Sequence, residues 1–249
     1  MKQIVIVVAI LFSVVTLHTD SYQEAYTAYQ NGERAETIEK RSLFFNQALK
    51  LYSEIEKEDG QLYYNIGNCY YQLNQMGMAI WYYTKAERLL PRDLKIAENL
   101  AMAKSMVKLE TPSWNMMIKE IFFFHYKLKT HEKALVMMFI GALLLFFVSL
   151  FIWIKKSYLK PFIYMALFFL GGFTLSYNLS NQSNKAGLFV EPSLLRCAAG
   201  KEYKEISSKV IKEGEMFKVL EITPDQKWVK VKTSRGKKGY VEASHTRLL

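Results

Sequence analysis

The chain has 249 residues, 51% of them hydrophobic, with 33 basic side chains against 23 acidic ones and a formal net charge of +10. That length accommodates two modest domains plus an apolar remainder, and because the remainder is concentrated in runs, a simple water-soluble globule is excluded. The charge is uneven: Asp20 to Lys133 holds 15 basic and 15 acidic residues, whereas Lys185 to the end holds 14 basic and 8 acidic.

Residues 1–19 begin with Lys2, continue as an uncharged run from Ile4 to Leu17 and end in polar residues, the layout of a secretory signal. The run is shorter than the roughly 20 residues of a membrane span, and no clear A-x-A site comes after it. The segment therefore reads as a signal peptide or an uncleaved N-terminal anchor, and the chain beyond it is expected outside the cytoplasm.

Residues 20–110 carry helical spacing throughout. In "GQLYYNIGNCYYQLNQMGMAIWYYTKAERLLPRD" the pattern resembles a tetratricopeptide repeat, a helix-turn-helix of about 34 residues with small and aromatic residues at set positions and a closing proline. With the first position at Gly60, Tyr63, Ile66, Gly67 and Tyr70 fall on one helix, Ala79, Tyr83 and Ala86 on the next, and Pro91 closes the unit. Gly67 and Ala79 then permit a close helix crossing, which Tyr63, Tyr70 and Tyr83 surround. One repeat cannot bury its own face, so neighbours are expected. Upstream, "DSYQEAYTAYQNGERA" and "RSLFFNQALKLYSEIEKEDG" read as a helix pair with a lengthened turn, Ala48 and Tyr52 holding the second-helix positions. Downstream, Asp93 is available as an N-cap for a solvating helix whose apolar stripe is Leu94, Ala97, Leu100 and Ala101.

The concave side of such a stack is its usual binding surface. Tyr64, Asn68, Tyr71, Lys95 and Glu98 are expected there, and the Asn68 amide suits an extended peptide backbone; the alternative is that these residues solvate the groove or contact the first helix pair.

Residues 111–133 form an amphipathic juxtamembrane segment whose stripe, Trp114, Met117, Ile118, Ile121, Phe124 and Leu128, suits a helix in the bilayer interface or one packed beneath the repeats. Residues 134–154 and 161–180 are uncharged and long enough to be transmembrane helices. The loop between them, 155–160, carries Lys155, Lys156 and Lys160 and no acid, which places it in the cytoplasm and both flanking domains outside. Gly141 and Ala142 in the first helix, with Ala166, Gly171 and Gly172 in the second, either let the backbones approach closely or are ordinary membrane composition.

After a linker at 181–185, residues 186–249 change to β patterning. "WVKVKT" alternates, Val229 and Val231 on one face and Trp228, Lys230 and Lys232 on the other. The order of "AGLFV", Arg196, a glycine turn at Gly214 before "FKVLEI", W-V-x-V, Gly239-Tyr240-Val241 and "RLL" resembles a bacterial SH3-like barrel. Trp228 and Tyr240 are candidates for its contact surface or for its core and edge. The excess positive charge sits on this exported tail, where anionic lipid headgroups or cell-wall polymer are the partners at hand and nucleic acid is not.

Enzyme signatures are lacking in the sequence. His18, His125, His131 and His245 lack the paired spacing of a zinc site, and "RGKKG" lacks the spacing and Ser/Thr of a phosphate loop. We expect no catalytic, cofactor or metal site. Cys69 and Cys197 lie in different domains, and a disulfide between them is not expected.

Export signal, Y-N-I-G-N-x-Y-Y repeat, Asn99-Leu100 pair, two membrane helices and SH3-like tail, in that order, resemble the BatE proteins of the Bat (aerotolerance) family. Ile66 stands where that family usually has leucine. The resemblance implies a multidomain membrane protein: an all-α repeat domain, a transmembrane hairpin and a small all-β barrel, with both soluble domains outside a bacterial cytoplasmic membrane. It further implies a non-enzymatic scaffold working with Bat-type A-domain membrane proteins and a MoxR-type ATPase under oxidative or envelope stress. The alternative is a cell-wall binding or envelope-sensing protein acting through the basic barrel.

Overall fold

The computed structural model describes residues 21–109, 127–182, 186–206 and 209–249. Residues 1–20, and with them the signal or anchor, lie outside it, as does the amphipathic stripe from Trp114 to Phe124. The described chain is helix-rich with one five-stranded antiparallel sheet.

Five helices form a stack, α1 (21–34), α2 (Ile38–Ser53), α3 (Gly60–Gln72), α4 (Met76–Leu89) and α5 (Leu94–Met106). From α2 onward each packs on the next. Local chemistry starts them: Thr37 Oγ1 accepts from Lys40 N, Asp59 from the N–H groups of Gln61 and Leu62, and Asp93 from those of Lys95 and Ile96. Each cap satisfies donors that the first turn leaves without partners. Ala48, Tyr52, Ala79, Tyr83 and Ala86 are all buried, as their spacing requires. A Cβ on Gly67 would stand 2.6 Å from the Tyr83 ring, so α3 and α4 close on each other only because that side chain is missing.

Two expectations are corrected. The lengthened turn of the first pair does not exist: α1 runs to residue 34 and α2 begins at Ile38, leaving a link as short as Leu73–Gln75 between α3 and α4. The extra residues are helical, and Tyr29 and Phe45 pack across the extension with ring centroids 5.4 Å apart. On α5 the buried stripe is Ile96, Leu100 and Ala103, while Leu94, Ala97 and Ala101 are exposed. A spacing of i, i+4, i+7 defines one face, and of the four expected stripe residues Leu100 alone lies on it.

Two long apolar helices come next, α6 (Thr130–Ile154) and α7 (Lys160–Gln182), packed on each other and linked by Lys155 in a left-handed conformation (φ 55°) and a short 3-10 turn, Ser157–Leu159. Both are long and apolar enough to cross a membrane. Leu145, Trp153 and Phe168, at 70%, 84% and 78% exposure, show that no other part of the described chain covers their outer surface. Gly141, Gly171 and Gly172 do not mediate close approach, because a Cβ on any of them would meet nothing within 4 Å. Phe147 and Phe162 stack across the pair instead, at 5.3 Å and 13°.

The sheet comprises β1 (Ala186–Phe189), β2 (Met216–Ile222), β3 (Trp228–Thr233), β4 (Lys238–Glu242) and β5 (Thr246–Leu248), in the order β4-β3-β2-β1-β5. Val229, Val231, Val241, Phe189 and Phe217 fill its interior, and the turn before β2 falls at Gly214 as expected. Arg196 pins the long β1–β2 connection: its guanidinium donates to the carbonyls of Lys201 and Tyr203, and its backbone pairs with Tyr240.

The sheet does not stand apart from the stack. Leu188 and Val190 share one buried cluster with Met76, Ala79, Ile80, Leu100 and Ala103. Gly77 N–H donates to Glu213 Oε2 at 3.1 Å, Trp81 Nε1–H to the Leu248 carbonyl at 2.9 Å, and Lys212 Nζ to the Lys108 carbonyl at 2.9 Å. A Cβ on Gly77 would land on the Val190 carbonyl. At the other end of α4, Arg92 pairs with Glu132 at the start of α6, 2.6 Å apart. The sheet thus meets the start of α4, and the beginning of α6 meets the turn beyond its end.

Candidate functional site

The residues of α1, α3 and α5, every second helix, line one side of the stack and enclose a groove of about 420 Å³ there. Tyr26, Tyr29 and Glu33 come from α1, Tyr64, Asn65, Asn68 and Tyr71 from α3, and Asn99 and Met102 from α5. Three expected residues, Tyr64, Asn68 and Tyr71, are brought together here. Lys95 and Glu98 are exposed on α5 but do not line it: Lys95 sits one turn before Asn99, beyond the groove, and Glu98 is one residue off the stripe that Asn99 and Met102 form.

Asn68 is held from below. Its Oδ1 accepts from the Tyr83 hydroxyl at 2.7 Å and from Asn99 Nδ2 at 3.0 Å, and Asn99 Nδ2 also reaches the Tyr64 hydroxyl at 3.1 Å. The carbonyl end of the amide is therefore spent on the protein, which leaves Nδ2 as the donor for a ligand. A parallel arrangement lies one turn earlier on α3, where Asn65 Nδ2 donates to the hydroxyls of Tyr22 (2.6 Å) and Tyr52 (3.4 Å). Burial pushes the hydroxyls of Tyr29, Tyr52 and Tyr83 well above the ordinary tyrosine range, so they stay neutral. With Glu33 the one carboxylate in its lining, the groove is a nearly uncharged surface of amides and phenols. Such a surface can exchange hydrogen bonds with a polypeptide backbone and cover apolar side chains.

On the sheet, register places Trp228 opposite Glu242 and Lys230 opposite Tyr240, so Trp228 and Tyr240 share the outer face. Trp228 lines a groove of about 250 Å³ with Ser193, Arg196, Glu242 and His245. Tyr240 instead lies under the Lys230 ammonium, 5.3 Å from the ring centroid. Beside Trp228, Ser193 Oγ lies 3.0 Å from His245 Nδ1, and His245 Nε2 lies 3.3 Å from a Glu191 carboxylate oxygen. The order is that of a serine nucleophile with its base and orienting acid, but Ser193 is 5% exposed and its backbone is paired on both sides with Ile211. Ser193 and His245 both line the Trp228 groove, and the trio ties the β1 exit to the β5 entry, where Val190 N–H donates to the His245 carbonyl. Histidine spacing alone gave no sign of it.

Both cysteines are free thiols. Cys69 is buried in the stack, and burial pushes its thiol up to about 12, which removes it from thiolate chemistry. Cys197 is exposed on the sheet domain.

Tyr26, Tyr29, Glu33, Asn65, Asn99 and Met102 are groove residues that side-chain reasoning missed, although the Asn99-Leu100 pair marked the position of Asn99. No protein-family model matches the chain, and no curated protein matches it.

Proposed function

We propose that the chain is a non-enzymatic, membrane-anchored scaffold whose helix stack is a tetratricopeptide-type domain that captures an extended segment of a partner protein. One observation carries this reading: Tyr64, Asn68 and Tyr71 line a groove whose polar groups are already oriented by Tyr83 and Asn99. Pre-organised donors lower the ordering cost that a peptide ligand imposes. The uncovered apolar surface of α6 and α7 supports a transmembrane hairpin. By the resemblance of the whole chain, the sheet domain is SH3-like, the setting is a Bat-type stress or aerotolerance complex in a bacterial cytoplasmic membrane, and the partners are A-domain membrane proteins.

The test is capture of partners by the full-length protein, crosslinked in its native membrane, extracted in mild detergent and identified by mass spectrometry. Tyr26→Ala with Tyr71→Ala changes the groove lining without touching the Asn68 network. Loss of A-domain proteins from the variant with helicity retained supports the reading, and unchanged capture eliminates this groove. A second reading, wall binding through the sheet, rests on the Trp228 groove; recovery of wall fragments that depends on Trp228 would replace the scaffold reading with it.

A further inference from the structure

A cleft of about 530 Å³ lies where the sheet docks on the helix stack, beside the Gly77–Val190 contact. The stack contributes Tyr70 and Met78 to its walls, and the sheet contributes Glu191, Glu213, Ser244 and Arg247. Small-molecule sites occupy about 300–1,000 Å³ and favour the boundaries between domains, so the cleft has both the size and the place of one. It shares no lining residue with the tyrosine groove of the stack or with the Trp228 groove.

Two opposite charges line this cleft, each fixed by the protein at one atom and unspent at another. Arg247 Nη1 donates to the carbonyls of Ser244 (3.2 Å) and Thr246 (2.8 Å), which leaves Nη2 and Nε. Glu213 Oε2 accepts from Gly77 N–H at 3.1 Å, which leaves Oε1. The two do not pair with each other, and neither has another ion-pair partner among the described residues. Register keeps them apart: Arg247 lies opposite Leu188 on β1. The Glu213 carboxylate instead meets Gly77 at Val190, two residues or about 7 Å further along that strand. Glu191 belongs to the same end, but its Oε2 already faces His245 Nε2 at 3.3 Å. Burial raises the Tyr70 and Tyr82 hydroxyls and the Arg247 guanidinium opposes the rise, so Arg247 extends toward the stack. The cleft thus has a cationic end at Arg247 and an anionic end at Glu213, with Tyr70 and Met78 beside them.

We propose that this cleft binds a small zwitterion, a free α-amino acid or a dipeptide, whose carboxylate pairs with Arg247 and whose ammonium pairs with Glu213. A planar guanidinium with unspent donors matches a carboxylate, and a carboxylate already oriented by a backbone N–H matches an ammonium. A zwitterion answers both free charges, whereas a simple anion or cation answers one and leaves the other. The ligand touches stack and sheet at once, so its binding fastens the sheet to α4 by mass action. This site depends neither on the peptide groove nor on the reading of α6 and α7 as a transmembrane hairpin.

The experiment is titration calorimetry on the full-length chain in mild detergent, with the common amino acids and a set of alanyl dipeptides as probes. The tightest binder is then compared with its N-acetyl and C-amide forms. At least one probe should bind saturably, each blocked form should bind about tenfold or more weakly, and hydrogen exchange at Leu188 to Val190 should slow in the complex. Arg247→Gln should bind the acid and the amide alike, and Glu213→Gln the free and the acetylated amine alike. Glu213→Gln retains an oxygen for Gly77 N–H, and hydrogen exchange without ligand checks that its sheet stays docked; Arg247→Gln, exposed and outside the buried cluster, carries the test if it does not. No binding by any probe at millimolar concentration overturns the proposal. Acetate or methylamine binding as tightly as the zwitterion overturns it in favour of a single-charge site. Binding that survives both charge variants and is lost in Tyr71→Ala or Trp228→Ala places the ligand in another groove and overturns it as well.

Discussion

Glycine does opposite work in the helix stack and in the apolar hairpin. In the stack, Gly67 and Gly77 sit where a methyl group would strike the Tyr83 ring or the Val190 carbonyl. In the hairpin, Gly141, Gly171 and Gly172 face open space. Water drives the stack helices together until backbone and ring touch, so a missing side chain decides how near they come. Between α6 and α7 the Phe147–Phe162 stack carries the contact while the glycines are bystanders.

The contrast breaks most visibly at Gly77. Gly77→Ala sets a methyl group against backbone, which cannot rotate away, and should cost about 3 kcal/mol or more by overpacking; hydrogen exchange at Leu188 to Val190 should rise as the sheet leaves α4. Gly67→Ala meets a ring that can yield, so about 1–3 kcal/mol is expected, read as a lower melting temperature of the helical signal with the sheet still docked.

A smaller effect tests whether the stack depends on its caps as well as its packing. Partial burial opposes the charge on Asp59, but the N–H groups of Gln61 and Leu62 and the Lys57 ammonium outweigh it and hold the carboxyl below its usual range. Its contribution is therefore complete above the unfolded value near 4 and disappears as pH falls through the lower folded value. Asp59→Ala should cost about 1 kcal/mol at neutral pH and nothing once the parent carboxyl is protonated, which melts at the two pH values would show. The smallest change belongs to the hairpin: Gly171→Ala should be neutral or stabilising by about 0.5–1 kcal/mol, from helix propensity alone. A loss comparable to that of Gly67→Ala would show that the two regions pack alike after all.

Legibility in the sequence tracks the range of each interaction. The α3–α4 unit was legible because Gly67 and the Tyr83 ring it accommodates lie only 16 positions apart on consecutive helices, and β3 because alternation marks both faces within six residues. The α5 stripe was legible only at Leu100, because Leu94 is apolar yet 66% exposed in the first turn and drew the expected face away from Ile96 and Ala103. Tyr64, Asn68 and Tyr71 were found from helix geometry. Asn99 was missed as a groove residue because its role depends on Asn68, 31 positions away, accepting its hydrogen bond. The docking of the sheet on α4 left no local trace: Gly77, in "QMGMA", looks like a turn residue, and its partner Val190 comes only after the hairpin.

That docking also has an order in time. Chains emerge from synthesis N-terminus first, so α4 is complete long before β1 exists, and two long apolar helices lie between them in the chain. Until residues 186–249 are made and folded, Met76, Ile80 and Leu109 present to solvent a face that the finished protein hides. The contact at Gly77 and Val190 therefore forms only after α6 and α7 have been made, and a chain stopped after α7 would expose a helix face that the sheet covers.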